Sequence, residues 1–205
     1  VSFTGLEPVI DSTTAATLTV NATDGDNAIE YGEGPNSGTD IDADPDPDET
    51  GLVSVDGFET IEFANKTDLV INAGAGSDVI NFADGDADLP DGLAAATVNG
   101  GGPGGSDRVI VNGIPGATEA PIVRPSSQGA GVVDRSTLGP GVDVQYTGTE
   151  ELELVGQEAD DDGFGVDGTP GNDQFRYFTG DTPDTGRVLG TMAEDLAPFA
   201  LPAID

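Results

Sequence analysis

The chain has 205 residues, enough for one domain or a short run of repeats with a real core. Its 39 acids stand against six bases, a formal charge of -33, and it has neither cysteine nor histidine. Disulfides, thiolate metal sites and imidazole catalysis are thereby excluded, so negative a surface is a poor partner for nucleic acid, and the compact state must bear self-repulsion unless cations screen or bind it. Asp outnumbers Glu 27 to 12, and most Asp sit beside Gly, Pro, Asn or Thr, a bias that suits turns and hard-cation ligands. Adaptation to high salt, with the acids merely solvated, is the competing reading of the same composition. No run approaches a membrane span, and the opening at Val1 without a secretory leader suggests a processed product or part of something longer.

Taken in order, the chain opens on Val1-Ser-Phe3-Thr-Gly5-Leu-Glu7-Pro-Val9, where apolar residues two apart predict a strand and Gly5 a corner. The same phrase returns without gaps at Val53-Ser-Val55-Asp-Gly57-Phe-Glu59-Thr-Ile61 and at Val144-Gln-Tyr146-Thr-Gly148-Thr-Glu150-Glu-Leu152. A second phrase follows each: an apolar strand end, a small turn, Gly, one residue, an acid or amide, then another apolar strand. Its copies run Val20 to Asn27 and Ile29, Ile71 to Asp78 and Ile80, Val98 to Asp107 and Val109, and Val166 to Asp173 and Phe175. Seven positions separate the first apolar residue from the acid or amide in three copies, and nine in the copy ending at Asp107. A decayed copy, Val111-Asn-Gly-Ile-Pro-Gly116, carries Thr118 where the acid belongs, so the turn's shape is used more widely than its charge.

These units read as about 1–33, 53–83, 96–123 (partial) and 144–178, with insertion loops at 34–50 and 113–141 and a tail at 179–205. A short helix is expected near residues 192–197, from the capping-box spacing of Thr191 and Glu194 and the stop at Pro198. Everything else is strand and turn. A single unit cannot hide its apolar side, but like phrases in like order can lay strand on strand. The expected fold is therefore all-β, a parallel β-helix (solenoid) with Gly/Asp-rich turns and insertion loops. A β-sandwich of similar hairpins is the alternative, since strand periodicity does not fix pairing and the acidic positions are irregularly spaced.

The turn phrase resembles the nonapeptide Gly-Gly-x-Gly-x-Asp-x-U-x of hemolysin-type (RTX) calcium-binding repeats, U being a large apolar residue. Ala73 to Asn81 departs from it at the first position alone, Gly168 to Arg176 carries Thr169 for the second Gly, and Gly105 to Val109 keeps the second half. The first copy has Asn27 where the pattern has Asp, with Asp24 and Asp26 beside it. The resemblance implies Ca²⁺ held by carboxylates and turn carbonyls. Residues matching the motif are Asp78, Asp107 and Asp173 as ligands, with Gly76, Gly105 and Gly171 in the turns and Asp24, Asp26 and Asn27 in the first copy. The longer unit is similar to modules of very large secreted or surface-attached bacterial proteins, generally structural or adhesive.

Further acids accompany the turns. The run Asp40 to Glu49 alternates acid with spacer, but Pro45 and Pro47 extend it, so a solvated loop is the simpler reading. Asp84, Asp86, Asp88 and Asp91 follow the second copy and Asp160, Asp161 and Asp162 precede the fourth, close enough to join a turn site. Glu7, Glu59 and Glu150 share one position in three units; a bond from each to backbone at its corner is preferred to a bare carboxylate ladder, whose members would raise one another's pKa. Catalysis is not expected: no Gly-x-Ser-x-Gly elbow or P-loop is present, and without Trp and with only three Tyr the chain lacks platforms for sugar. The expected function is an extracellular, cell-surface, calcium-stabilised structural or adhesive module that self-associates into a fibre or tandem array and contacts cell-surface glycans. A polysaccharide-binding or degrading β-helix module and a halophilic surface domain are the alternatives.

Overall fold

The computed structural model describes residues 9–34, 50–83, 93–102, 105–114, 118–135, 142–156 and 163–168, and the backbone of strands 174–179, 186–191 and 198–204. Among these residues the protein is all-β, with seventeen strands, no helix and two mixed sheets of ten and seven strands. The expected helix at 192–197, the acid run 40–49 and the clusters 84–91 and 160–162 lie outside the described residues, as do Glu7, Gly171 and Asp173.

Each sheet is organised around four parallel strands in register. In the seven-stranded sheet these are β2 (Thr17–Asn21), β6 (Asp68–Asn72), β8 (Ala95–Asn99) and β12 (Asp143–Thr147). In the ten-stranded sheet they are β3 (Ala28–Glu33), β7 (Val79–Phe82), β9 (Arg108–Asn112) and β13 (Glu151–Val155). The chain passes from the first sheet to the second along β2–β3, β6–β7, β8–β9 and β12–β13, so corners that follow equivalent strands lie side by side.

Alternation in the sequence decides which side chains meet. Leu69, Ala96 and Val144 stand in one row across the seven-stranded sheet, and Val20, Ile71, Val98 and Tyr146 in the next. Ile29, Ile80, Val109 and Leu152 face them from the ten-stranded sheet, with Tyr31, Phe82, Val111 and Leu154 two positions on. All belong to one buried cluster, in which the Tyr31 and Phe82 rings lie 5.5 Å apart. Intervening residues such as Thr19, Glu30 and Gln145 face solvent, as strand period two requires.

Among the described residues pairing turns antiparallel next to β3 and next to β12, while β2 is an edge strand and β13 keeps a parallel neighbour on its outer side. β4 (Gly51–Val55) runs back along β3 and turns into β5 (Ile61–Phe63), beside which β1 (Val9–Asp11) lies parallel. Asp56 and Gly57 make the tight turn, both at positive φ (52° and 73°), a conformation that Asp-Gly accepts readily. Beyond β12 come β11 (Ala130–Asp134), β10 (Ile122–Ser127) and β14 (Gly165–Val166); beyond β13 come β17 (Pro198–Ile204), β16 (Gly186–Thr191) and β15 (Gln174–Thr179). The stretch 113–141, expected as a loop, thus contributes the hairpin of β10 and β11.

The aligned phrases at Val53 and Val144 therefore do different jobs, the first a hairpin within one sheet, the second a corner between sheets. The chain's one lysine is also spent inside: Lys66, 1 % exposed, donates to the Thr13 carbonyl at 2.6 Å and the Ala64 carbonyl at 3.0 Å and pairs with Asp11 at 3.3 Å. It fastens the segment after β1 to the link between β5 and β6. Hydrogen bonds from the Thr13 hydroxyl and amide, and then Lys66, hold the Asp11 carboxyl below the usual carboxylate range.

Ile80 is fully buried in the middle of these rows. Ile80→Ala is expected to cost about 2–5 kcal/mol by urea unfolding, against less than about 0.5 kcal/mol for Thr19→Ala on the solvent face.

Candidate functional site: the stacked corners

The corners are where the sequence places its chemistry. They join strands that already pair in parallel, so each corner backbone meets the next at strand spacing, and equivalent amides bond equivalent carbonyls. Ala22 N–H donates to the Asn72 carbonyl at 2.9 Å, Ala73 N–H to Asn99 at 2.9 Å and Gly100 N–H to Thr147 at 2.8 Å. On the far side of the corner Val79 N–H donates to the Asn27 carbonyl at 2.9 Å and Arg108 N–H to Asp78 at 2.8 Å.

Contact this close explains the glycines. A Cβ on Gly74 would lie 2.3 Å from the Thr23 carbonyl oxygen, one on Gly101 1.8 Å from that of Gly74, and one on Gly105 1.3 Å from that of Gly76. Gly74, Gly76 and Gly101 also sit at φ 103°, 123° and 112°, a region that side chains rarely enter. Gly76 and Gly105 thus lie where the sequence placed them, in the turns, and backbone-to-backbone packing is sufficient reason for both.

The acids form a ladder between corners. Glu150 Oε2 accepts the Asp107 N–H at 2.7 Å, Asp107 Oδ1 the Asp78 N–H at 2.9 Å, and Asp78 Oδ1 the Asn27 N–H at 2.8 Å. Each carboxylate satisfies an amide one corner along that the strand ladders do not reach. At the last rung the side chain changes type. Asn27 Nδ2 donates to Asp56 Oδ2 at 2.6 Å, and Ala28 N–H to Asp56 Oδ1 at 2.7 Å. A carboxylate at position 27 would set two acceptors against each other; the amide in the first copy is therefore the group that lets the ladder end on the hairpin's Asp56.

Two further rails run alongside. Asn99 Nδ2 donates to Asn72 Oδ1 at 2.6 Å, Asn72 Nδ2 to Asn21 Oδ1 at 2.8 Å, and the Thr147 hydroxyl to Asn99 Oδ1 at 2.9 Å. Asp26 Oδ1 accepts the Ser77 N–H at 2.8 Å and the Ser77 hydroxyl oxygen the Ser106 N–H at 3.1 Å. Asp24 is exposed.

Asp78 stands apart electrostatically. Its Oδ2 is buried without a hydrogen-bond partner, and desolvation, opposed by the Asn27 N–H and reinforced by repulsion from Asp107, Asp26 and Asp56, raises its pKa. One orphaned, buried carboxylate oxygen is the feature here that fits a hard cation. Among the described residues no group of three or more acids converges as a metal cluster. Elsewhere, an apolar cavity of about 170 Å³ lies against Val111, Leu154, Pro121 and Phe164, with the buried Arg135–Glu119 pair (3.0 Å) in its wall. Glu119 Oε2 also accepts the Ile114 N–H at 2.6 Å, so beside the decayed turn the residue after Thr118 supplies an acid to backbone.

The structure thus brings Asp26, Asn27, Asp78 and Asp107 together and adds Asp56 and Glu150, which the motif did not name. Glu150 had a signal, its shared position with Glu7 and Glu59; Asp56 had none beyond preceding a glycine. Comparison with protein-family models, curated proteins and solved structures returns no match.

Three outcomes follow from this geometry. Gly105→Ala should unfold the corner region, whereas Gly102→Ala, with nothing within 4 Å of its Cβ, pays backbone strain alone at φ 119°, about 1–2 kcal/mol. Asn27→Asp should lower the melting temperature, and Asp56→Asn in the same chain should restore most of the loss, a coupling read by a double-mutant cycle. Because burial raises the pKa of Asp78 in the folded protein above that of a free carboxyl, the native state holds that proton more tightly than the unfolded chain. Its contribution to stability therefore grows as pH falls from neutrality through the folded pKa, and chelator-treated Asp78→Asn should flatten that part of the stability–pH curve.

Proposed function

We propose that this chain is an extracellular structural or adhesive module built as a short stack of parallel coils, a parallel β-helix capped by antiparallel hairpins. The observation that carries this reading is the acid ladder: one position in successive corners makes the same contact with the next. What supports coils is that four corners join strands that are parallel in both sheets. Antiparallel strands at both ends are what a β-sandwich would also have. The hemolysin-type likeness of the corner phrase fits the coil form.

In this reading Ca²⁺ supplements the ladder. Asp78 Oδ2 would hold it, with turn carbonyls completing the shell, and the ion would supply positive charge where three other carboxylates act on one buried acid. The chain's own residues do the rest: Asp107 and Glu150 keep neighbouring corners in register, Asn27 and Asp56 close one end, and the outward acids keep the surface hydrated and fibres apart. The formal charge of -33 makes binding of the folded state by cations favourable for stability. The role is mechanical and associative rather than catalytic, with self-association into an array and contact with surface glycans as its expression.

The test is melting temperature with calcium and with chelator at constant ionic strength. Calcium is expected to raise it by several degrees in the native sequence and not in Asp78→Asn. Equal melts with and without calcium, alongside a strong response to monovalent salt, would favour solvated acids without a specific site.

A further inference from the structure

We propose that Asn99 and Asn112 are deamidation sites which the stack holds closed, and whose reaction after opening weakens the stack that re-forms. They are the chain's two Asn-Gly pairs, and each ends a parallel strand: Asn99 in β8, Asn112 in β9. Glycine puts no side chain in the way of its own amide nitrogen, so the pair is open to intramolecular attack wherever the backbone is free.

The step is a ring closure. The Gly100 amide nitrogen attacks Asn99 Cγ; the N–Cγ bond forms, the Cγ–Nδ2 bond breaks, and ammonia leaves with the proton of that N–H. Water then opens the succinimide to Asp or isoAsp. Gly113 and Asn112 react in the same way.

In the folded stack every participant is engaged. Gly100 N–H donates to the Thr147 carbonyl at 2.8 Å and Gly113 N–H to Val155 at 2.7 Å, so neither nitrogen is free. Asn99 Nδ2 is held by Asn72 Oδ1 at 2.6 Å and its Oδ1 by the Thr147 hydroxyl at 2.9 Å. Asn112 Nδ2 donates to Asn81 Oδ1 at 2.7 Å and the Phe82 carbonyl at 2.8 Å. Both amides are thus held by groups of the neighbouring strands. Extended strand backbone adds a second restraint.

The product cannot resume the amide's place. A carboxylate at 99 has no proton for Asn72 Oδ1, and one at 112 faces two acceptor oxygens, Asn81 Oδ1 and the Phe82 carbonyl. Deamidation therefore converts a bond between strands into repulsion, in a chain that already carries a formal charge of -33. A module opened long enough to react is marked permanently, whereas one that stays closed keeps its rails. The inference rests on the asparagine contacts and is independent of calcium.

The experiment incubates the full chain at mildly alkaline pH, native and in urea, and maps deamidation by peptide mass spectrometry. Both sites should react in urea, and in the native chain more slowly by roughly a hundredfold or more, since exchange of that kind needs the strands to open. Asn112→Asp, prepared directly, should lower the melting temperature by about 5 °C. Equal rates in both conditions, or no reaction at either site in urea, would overturn the proposal, and so would an unchanged melt in Asn112→Asp. The mass measurement on the unmodified sequence decides the question even where that variant fails to fold.

Discussion

A carboxylate oxygen that accepts the backbone N–H of the next corner is the contact on which this structure depends. Parallel strands in register bring their corners together, and there the chain leaves the sheet while its amides still point along the stack. An amide left without a partner in such a place costs about 1–3 kcal/mol. Glu150, Asp107 and Asp78 meet three of them in turn, each with a charge-assisted bond. The cost is that like charges sit roughly one strand apart, about 4.8 Å, where repulsion at an effective dielectric near 20 is about 3.5 kcal/mol for a buried neighbouring pair and less at the exposed Glu150. A bond to a charged group contributes about 1.5–3 kcal/mol. The two nearly cancel, which accounts for the character of the ladder: short, ended by an amide at Asn27, and with one acid, Asp78, whose proton affinity is raised.

The same balance separates what builds the corner from what the corner binds. Glycine is required at 74, 76, 101 and 105 by the proximity of the neighbouring backbone, with or without an ion. The acid is required by an amide. Asp78, buried and repelled by Asp107, Asp26 and Asp56, is where a cation would relieve that repulsion most, between carboxylates that already have structural work. The pattern of glycine and acid thus follows from the packing of corner on corner.

Much of this was legible in the sequence. Alternation at Leu69 and Ile71, Ile80 and Phe82, Val109 and Val111 gave the strands, and the repeated turn phrase located three of the four corners, the fourth falling in the phrase that carries Gly148 and Glu150. Three features were not. Asp56 meets Asn27 across 29 residues, and no local pattern announces an acid whose partner is so distant. Nothing local to Lys66 marks it for burial, yet it is buried among the carbonyls of Thr13 and Ala64 because β1 lies beside β5. The phrases at Val53 and Val144 align residue for residue but fold differently. Asp56 and Gly57 both take positive φ and reverse the chain within a sheet, whereas Gly148 alone, at φ 63°, turns it between sheets. One dihedral at the residue before the glycine decides the outcome, and alignment of apolar positions cannot see it.

The most direct measurement of the central claim is residue-resolved hydrogen exchange of the Asn27, Asp78 and Asp107 amides in chelator. All three lie in corners, where exchange at loop rates is the ordinary expectation. If carboxylates from the neighbouring corners hold them, they exchange as slowly as the amides of Ile80 and Val109 in the adjoining strands. Exchange at the rate of exposed turns, with the strands still protected, would contradict the ladder.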